Sequence, residues 1–133
     1  KVIAADGSED DKKPQVLRGN IISKQSSGEK RGILEYAFSK NYNFYGMKSL
    51  RPQYSMGGKT GTAQVPAPDG TYYEDRFNGT FLGYVGGDEP EYIVAVRVDE
   101  PKIAGYAGAK AAAPIATEML NILIDSYNVQ PKK

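Results

Sequence analysis

The sequence of 133 residues contains no cysteine and no histidine. The lack of cysteine excludes disulfides, thiol nucleophiles and cysteine-ligated zinc or iron–sulfur sites. The lack of histidine excludes a Ser-His-Asp triad and every histidine-ligated metal site. Any catalysis by these residues therefore depends on Lys, Ser, Thr, Tyr or carboxylate side chains.

The chain also lacks an excess of charge and a long apolar run. Its 17 Lys and Arg residues against 16 Asp and Glu residues give a net charge of +1. This balance offers no electrostatic reason to expect nucleic acid or an anionic membrane surface as the main partner. No apolar run approaches the roughly 20 residues of a membrane span. The length predicts one domain, or a piece of one.

Residues 1–53 predict a lead-in loop, a helix from about residue 27 to 40, and an aromatic loop. The stretch 7–13 is charged and glycine-containing, which indicates a solvated loop. Ser26 and Glu29 have the spacing of a capping box before the helix. The predicted buried face of this helix recurs at helical spacing and comprises Ile33, Leu34, Ala37 and Phe38.

Residues 54–127 predict three antiparallel strands followed by a helix, and 128–133 a polar tail that frays. The strands are expected at 54–65, 80–85 and 92–98, joined by turns, and the apolar 92–98 has the pattern of a central strand. The helix spans 110–127, with Pro114 in its first turn. We expect an apolar stripe of this helix to pack on the sheet: Ile115, Met119, Ile122 and Leu123. Antiparallel strands with flanking helices make an α+β fold.

The most informative segment is Gly58-Lys59-Thr60-Gly61-Thr62. Its first three residues match the end of a phosphate-binding loop, G-x-x-x-x-G-K-[ST]. The first glycine of that pattern would fall on Gln53, and extended chain rather than a helix follows the motif. A nucleotide-binding loop is therefore not predicted.

On a strand, the same residues suit a carboxylate and an adjacent carbonyl. Lys59 supplies a cation, and Gly61 has no side chain to prevent the close approach of a substrate backbone. We expect Thr60 and Thr62 to alternate along the strand, with a twist at Gly61 that brings both hydroxyls to one ligand. Together with free strand N–H groups, these are the requirements for acyl transfer from a peptide C-terminus.

The run Gly58-Lys59-Thr60-Gly61-Thr62-Ala63-Gln64 resembles the third motif of class B penicillin-binding proteins, the peptidoglycan D,D-transpeptidases. The resemblance continues in order through Pro68-Asp69-Gly70, 77–86, Gly105-Tyr106-Ala107-Gly108, Ala112-Ala113-Pro114 and the last helix. It covers 54–127 well, and 1–53 only as the helix and loop that precede this strand. It implies a C-terminal portion of the penicillin-binding protein and serine β-lactamase-like transpeptidase fold.

The resemblance also implies roles for the motif residues. Lys59 and Thr62 would be catalytic: Lys59 as the electropositive partner of an S-x-N hydroxyl, and Thr62 through a backbone N–H that forms half the oxyanion hole. Thr60, Gly61 and Thr62 would bind the substrate, with the two hydroxyls on its carboxylate. The implied substrate is the D-Ala-D-Ala end of a stem peptide, and β-lactams would compete for the site. The resemblance implies no cofactor and no metal.

Two further motifs of that family, S-x-x-K and S-x-N, match by spacing at Ser27-Gly28-Glu29-Lys30 and Ser39-Lys40-Asn41, and S-x-N matches a second time at Ser126-Tyr127-Asn128. The serine, lysine and asparagine content makes these matches ordinary chance events, and a few turns replace the helical subdomain that separates these motifs in the family. We therefore expect the nucleophile, the S-x-N motif and a membrane anchor to lie upstream, in the remaining part of the transpeptidase domain and beyond it. The resemblance places that protein at the extracytoplasmic face of the bacterial cytoplasmic membrane, and these 133 residues alone are predicted to be inactive.

Two alternatives remain open at this point. A β-lactamase or a D,D-carboxypeptidase would share the Lys-Thr-Gly strand. A non-catalytic module would instead bind peptide or glycan through the sheet edge and a set of aromatic residues: Tyr42, Phe44, Tyr45, Tyr72 and Tyr73. A role in cell division and a role in elongation are equally compatible with the motifs.

Overall fold

A computed structural model describes residues 2–10, 13, 15–103 and 105–133. The main layer is a three-stranded antiparallel sheet in the order β3-β4-β5, and β1 and β2 form a separate two-stranded sheet. The elements are β1 (Val2–Ile3), β2 (Glu9–Asp10), α1 (Lys24–Asn41), β3 (Ser55–Pro66), β4 (Tyr72–Gly86), β5 (Pro90–Asp99), α2 (Gly108–Ala111) and α3 (Ala113–Ser126). The predicted α+β class is confirmed.

The N-terminal hairpin occupies part of the stretch that the sequence predicts as a solvated loop. Val2 pairs with Asp10 and Ile3 with Glu9. A turn between the two strands is closed by the Asp6 carboxylate, which accepts hydrogen bonds from the Ser8 backbone N–H and hydroxyl. The remainder of the predicted loop includes Asp11, Lys12 and Pro14, which lie outside the described residues.

Helix α1 begins three residues earlier than predicted, and its cap is a different serine. Ser23 is the N-cap, with extended backbone, and its hydroxyl oxygen accepts the Ser26 backbone N–H at 3.0 Å. The predicted capping box at Ser26 and Glu29 is wrong, because Ser26 already lies in the first turn. Of the predicted buried face only Phe38 is fully buried, and Ile33 is 67% exposed.

The sheet follows the predicted hairpin order, with a longer β4 at its centre. β3 pairs with β4 from Ser55–Gly86 to Pro66–Tyr72, with an irregularity between Gln64 and Pro66. β4 pairs with β5 on its other side. The prediction of β5 as a central strand is wrong within the described residues, since β5 lies at an edge of the sheet and Ile93 is 75% exposed while Val94 is buried. An edge strand with one open face has this alternation.

The predicted C-terminal helix divides into α2 and α3 at Ala112, and its buried face is not the predicted one. Three members of the predicted stripe, Ile115, Met119 and Ile122, are 42–49% exposed, whereas the fourth, Leu123, is partly buried and packs against the core as predicted. The buried positions are mostly small and lie one residue away in register: Ala113, Ala116, Thr117, Leu120 and Ile124. One residue corresponds to a rotation of about 100°. Small side chains at a helix–sheet contact allow the helix backbone to approach the sheet closely.

The core lies between one face of the sheet, helix α3 and the aromatic loop. Phe81 makes edge-on ring contacts with Phe38 and Tyr45 at 6.4 and 5.5 Å between centroids. Val129 is buried, and the Lys132 N–H donates to the Gln53 carbonyl at 2.8 Å. The expectation that residues 128–133 fray is therefore wrong, because the tail packs back on the core and on the loop before β3.

Candidate active site

The predicted motif lies on β3, directly opposite the middle of β4. Lys59 pairs with Leu82, Thr60 with Phe81, Gly61 with Thr80 and Thr62 with Gly79 in unbroken register. The regular pairing fixes the alternation of side chains between the two faces of the sheet. The motif therefore occupies a rigid strand rather than a flexible loop.

Thr60 and Thr62 lie on one face of the sheet, and Lys59 starts from the other. Our expectation that the two threonines alternate was wrong, since residues two positions apart on a strand share a face. No twist at Gly61 is needed to bring the hydroxyls together. The threonine face carries Phe81 and is covered by α2 and α3, whereas the lysine face is open around Leu82. Further along the same face α1 covers Tyr84, whose hydroxyl donates to the Arg31 carbonyl.

The Lys59 side chain reaches the outer edge of β3. Its ammonium group donates to the Thr60 carbonyl at 2.9 Å and to the Thr60 hydroxyl at 3.3 Å. A carbonyl that meets this exposed ammonium lies on the side away from β4. In an antiparallel ladder, the N–H and C=O of alternate residues point to the same edge. The backbone N–H groups of Thr60 and Thr62 therefore point to the outer edge, beside the lysine cation.

Gly61 has a packing reason for its missing side chain. A Cβ atom there would lie 2.5 Å from the Thr80 hydroxyl oxygen, closer than real contacts allow. Because that hydroxyl ends a small side chain on the neighbouring strand, a larger residue at 61 would displace it. This contact is a second reason for glycine, besides the substrate approach that the sequence predicts.

The Thr62 hydroxyl is held by a residue 46 positions further along the chain. The Gly108 backbone N–H donates to the Thr62 Oγ1 atom at 3.1 Å. The resemblance drew attention to the segment Gly105-Tyr106-Ala107-Gly108 but assigned it no role. No periodicity or spacing in the sequence predicts this contact.

The open face beside the motif forms a shallow groove of about 410 Å³. Leu82 is 59% exposed at its centre, with Ala95 of β5 beyond it. Lys59 and Arg97 are among the residues that line the groove. The surface thus combines cations with an exposed apolar floor.

The aromatic residues named above for a non-catalytic binding module do not line one surface. Tyr45 is buried in the core, and Tyr42 packs against it. Tyr72 is exposed at the start of β4, and the Tyr73 ring lies 4.3 Å beneath the Arg76 guanidinium. The polar groups described above converge instead at the outer edge of β3.

Comparison with known proteins identifies the family. The family described as penicillin binding protein transpeptidase domain matches residues 1–121. The chain belongs to this family. Among curated relatives, it is 32% identical to stage V sporulation protein D of Bacillus subtilis over 122 residues, which is 92% of this chain and 18% of that protein. It is 36% identical to the probable peptidoglycan D,D-transpeptidase PenA of Neisseria flavescens over 80 residues, 60% of this chain and 20% of that protein.

Solved structures of penicillin-binding proteins have the same fold. The penicillin-binding protein 3 of Mycobacterium tuberculosis complexed with ampicillin superposes with a TM-score of 0.67 at 30% identity, covering 98% of this chain and 30% of that one. The transpeptidase domain of Burkholderia pseudomallei penicillin-binding protein 3 gives 0.64 at 29% identity, covering 82% and 32%. The chain spans about a fifth of its curated relatives.

The compact set of transpeptidase motifs within these residues does not assemble. Ser27 and Ser39 both lie on α1, 12 residues apart, which is about 18 Å along a helix. The Ser39 hydroxyl donates to the Tyr36 carbonyl, and the Asn41 amide donates to the Ala37 carbonyl. Both groups therefore bond within their own helix, and the S-x-x-K and S-x-N spacings here are coincidental.

Two negative findings apply to residues 2–10, 13, 15–103 and 105–133 alone. No cluster of three or more acidic side chains there has the arrangement of a metal site. None of the helices in this part of the chain combines the length and the hydropathy that crossing a bilayer requires.

Proposed function

We propose that this chain supplies the substrate-binding and oxyanion side of the active site of a peptidoglycan D,D-transpeptidase. The substrate is the D-Ala-D-Ala end of a stem peptide, and β-lactams acylate the same site. The nucleophilic serine lies in the remaining part of the transpeptidase domain, upstream of these residues. That protein is anchored in the cytoplasmic membrane and works at its extracytoplasmic face.

The observation that carries the proposal is the composition of the outer edge of β3. Its backbone N–H groups point outward, the Lys59 ammonium stands beside them, and the Thr60 and Thr62 hydroxyls share one face. An extended peptide laid along this edge gains main-chain hydrogen bonds as an added strand does. Its terminal carboxylate meets the hydroxyls, and the cation balances its charge.

The edge also suits the chemical step. The serine oxygen attacks the carbonyl carbon of the penultimate D-Ala, the bond to the terminal D-Ala nitrogen breaks, and D-Ala leaves with a proton on its amine. The Thr62 N–H donates to the oxygen that becomes negative in this attack, and losing one such donor typically costs about 10²–10³ in rate. The amino group of a second stem peptide then takes the acyl group and frees the serine.

The open face of the sheet supports a nucleophile from elsewhere in the protein. Leu82 and Ile93 are 59% and 75% exposed next to the lysine side of the motif. Exposed apolar patches of this kind mark surfaces that bind another protein surface. The remaining part of the transpeptidase domain would cover this face and bring its serine to the edge of β3.

The test compares the full-length protein with the 133-residue segment by intact mass after incubation with benzylpenicillin. We expect one adduct on the full-length protein and none on the segment. Lys59→Ala in the full-length protein should slow acylation by at least about 10-fold, since a hydrogen bond to a charged group is worth about 1.5–3 kcal/mol. Lys48→Ala, at an exposed lysine away from β3, should leave the rate unchanged.

Three results would contradict the proposal. An adduct on Ser27 of the isolated segment would place the nucleophile inside this chain. Rapid turnover of penicillin without a lasting adduct would indicate a β-lactamase or a carboxypeptidase. Saturable stem-peptide binding that is insensitive to Lys59→Ala would indicate a non-catalytic binding module.

A further inference from the structure

We propose that Gly108 is a positioning residue of the active site. Its backbone N–H orients the Thr62 hydroxyl so that this hydroxyl donates a hydrogen bond to the carboxylate of the substrate. This inference rests on the proposed function, because it concerns how the same edge of β3 selects its substrate. It adds a residue from the segment after β5 to a site otherwise built on β3.

The hydrogen bond between Gly108 and Thr62 has a defined direction. The Gly108 N–H donates to the Thr62 Oγ1 atom. A threonine hydroxyl has one hydrogen to donate and two lone pairs to accept. Because a main-chain donor occupies one lone pair, the hydroxyl hydrogen points elsewhere. Thr62 is exposed, so this hydrogen is available to a carboxylate at the edge of β3.

The space around Gly108 leaves no room for a side chain. A Cβ atom there would lie 2.2 Å from the Gly61 carbonyl oxygen and 2.4 Å from the Thr80 carbonyl oxygen. Both contacts are to strand backbone, which cannot move aside without disturbing the sheet. Even alanine at 108 would therefore push this segment away from β3 and lengthen the bond to Thr62.

A second glycine opens the approach from the opposite strand. Gly79 is the cross-strand partner of Thr62. A Cβ atom at 79 would lie 3.0 Å from the Tyr106 carbonyl oxygen and 3.2 Å from the Gly108 Cα atom. The two glycines together allow backbone-to-backbone contact directly behind the Thr62 position.

The segment that carries Gly108 is anchored to β4. The Tyr106 ring stacks on Phe77 of β4 at 4.2 Å between centroids. Glu100, with φ of 45°, donates its N–H to the Phe77 carbonyl at 3.0 Å and pairs its carboxylate with Arg76. Contacts of Tyr106 and Glu100 thus hold the segment on β4, the strand that pairs with β3. A fixed donor costs no reorganisation when the substrate binds.

The experiment measures acylation of the full-length protein by benzylpenicillin and by its methyl ester, and takes the ratio of the two rate constants. The ester carries no carboxylate charge, so a correctly held donor favours the acid. Gly108→Ala should lower the acid-to-ester ratio by about 10-fold or more, the order expected for a hydrogen bond to a charged group. Gly28→Ala, at a glycine of α1 with open space around it, is the control and should leave the ratio unchanged.

A cycle of variants links the effect to Thr62. Thr62→Val removes the hydroxyl at constant shape and should lower the same ratio, and Gly108→Ala should add nothing further in that background. Thr62→Ser should retain most of the ratio. Tyr106→Leu removes the ring stack at an exposed position and should lower the ratio by between about 2- and 10-fold.

The outcomes separate the two proposals. A wild-type protein that penicillin does not acylate defeats the proposed function itself. If the wild type is acylated, an unchanged ratio in Gly108→Ala, or an equal loss toward acid and ester, overturns the role of Gly108. Should Gly108→Ala fail to fold, Tyr106→Leu decides: a lowered ratio supports the inference and an unchanged ratio overturns it.

Discussion

The orientation of α3 determines which of its side chains stabilise the fold, and the amino-acid pattern alone would indicate a different set. Leu120 is fully buried between the helix and the sheet, whereas its neighbour Glu118 is exposed. Leu120→Ala removes three carbons from the core. At about 0.8 kcal/mol per buried methylene, the transfer cost is about 2.4 kcal/mol, and the cavity left behind brings the total into the range of about 2–5 kcal/mol.

Hydrogen exchange measured by mass spectrometry on the full-length protein reports this cost locally. In peptides that cover α3 and β4, a loss of about 2–5 kcal/mol speeds exchange by about 30-fold to several thousand-fold. Glu118→Ala is the matched control, because Glu and Leu have similar helix propensities and both become Ala. Its exchange should remain within about 2-fold of the wild type.

A change in exchange for Leu120→Ala no larger than that for Glu118→Ala would contradict the orientation of α3. That result would mean that α3 packs through the stripe of Ile115, Met119 and Ile122, as its periodicity suggests. In the structure those three side chains are about half exposed. The pair Leu120 and Glu118 therefore tests the rotation of the helix and not its existence.

Three further predictions concern the rest of the chain. Ser23→Ala should destabilise the first turn of α1 by about 1 kcal/mol and speed its amide exchange about 5-fold, whereas equal effects from Ser27→Ala would contradict Ser23 as the cap. A hydrogen bond from Arg76 lowers the pKa of Glu100 below the reference value of 4.5. The pair therefore stabilises the fold above pH 4.5, and this stabilisation is lost as the pH falls through the pKa of the folded state. Arg76→Gln should raise the NMR titration midpoint of Glu100, and an unchanged midpoint would disprove the pairing. Val129→Ala should cost about 1.6 kcal/mol, two methylene equivalents, and speed amide exchange across 128–133; unchanged exchange would show that the tail does not depend on this side chain.

The parts of the fold that could be predicted are those fixed by local pattern. The hairpins between β3, β4 and β5 follow from β-branched runs separated by Asp-Gly and Gly-Gly turns, whose backbone preferences act over a few residues. The position of Lys59, Thr60 and Thr62 on a strand follows from the same pattern. Pro114 marks the first turn of α3 because its missing N–H is unpaired there in any case.

The remaining features depend on contacts that no local pattern contains. Ser23 and Ser26 are equally good capping residues, and the path of the chain before the helix decides between them. The face of α3 depends on the fit of small residues against the sheet, and the larger stripe beside it looks more hydrophobic in sequence. The hydrogen bond from Gly108 to Thr62 joins residues 46 positions apart, and the sequence does not distinguish this glycine from one in an open loop.

In the site that we propose, the geometry of β3 accounts for a division of roles between two parts of one protein. Thr62 is held from behind by Gly108 on the helix-covered face, while Lys59 starts from the face where Leu82 and Ile93 are exposed. A carboxylate-binding group profits from a rigid backing, because a fixed hydroxyl loses no freedom when the ligand arrives. The role proposed for Lys59, as the cation beside an S-x-N hydroxyl, needs the opposite: an uncovered face on which another part of the domain can place that hydroxyl. The strand edge meets both requirements at once, because alternate side chains leave it on opposite sides while its outward N–H groups face the substrate between them.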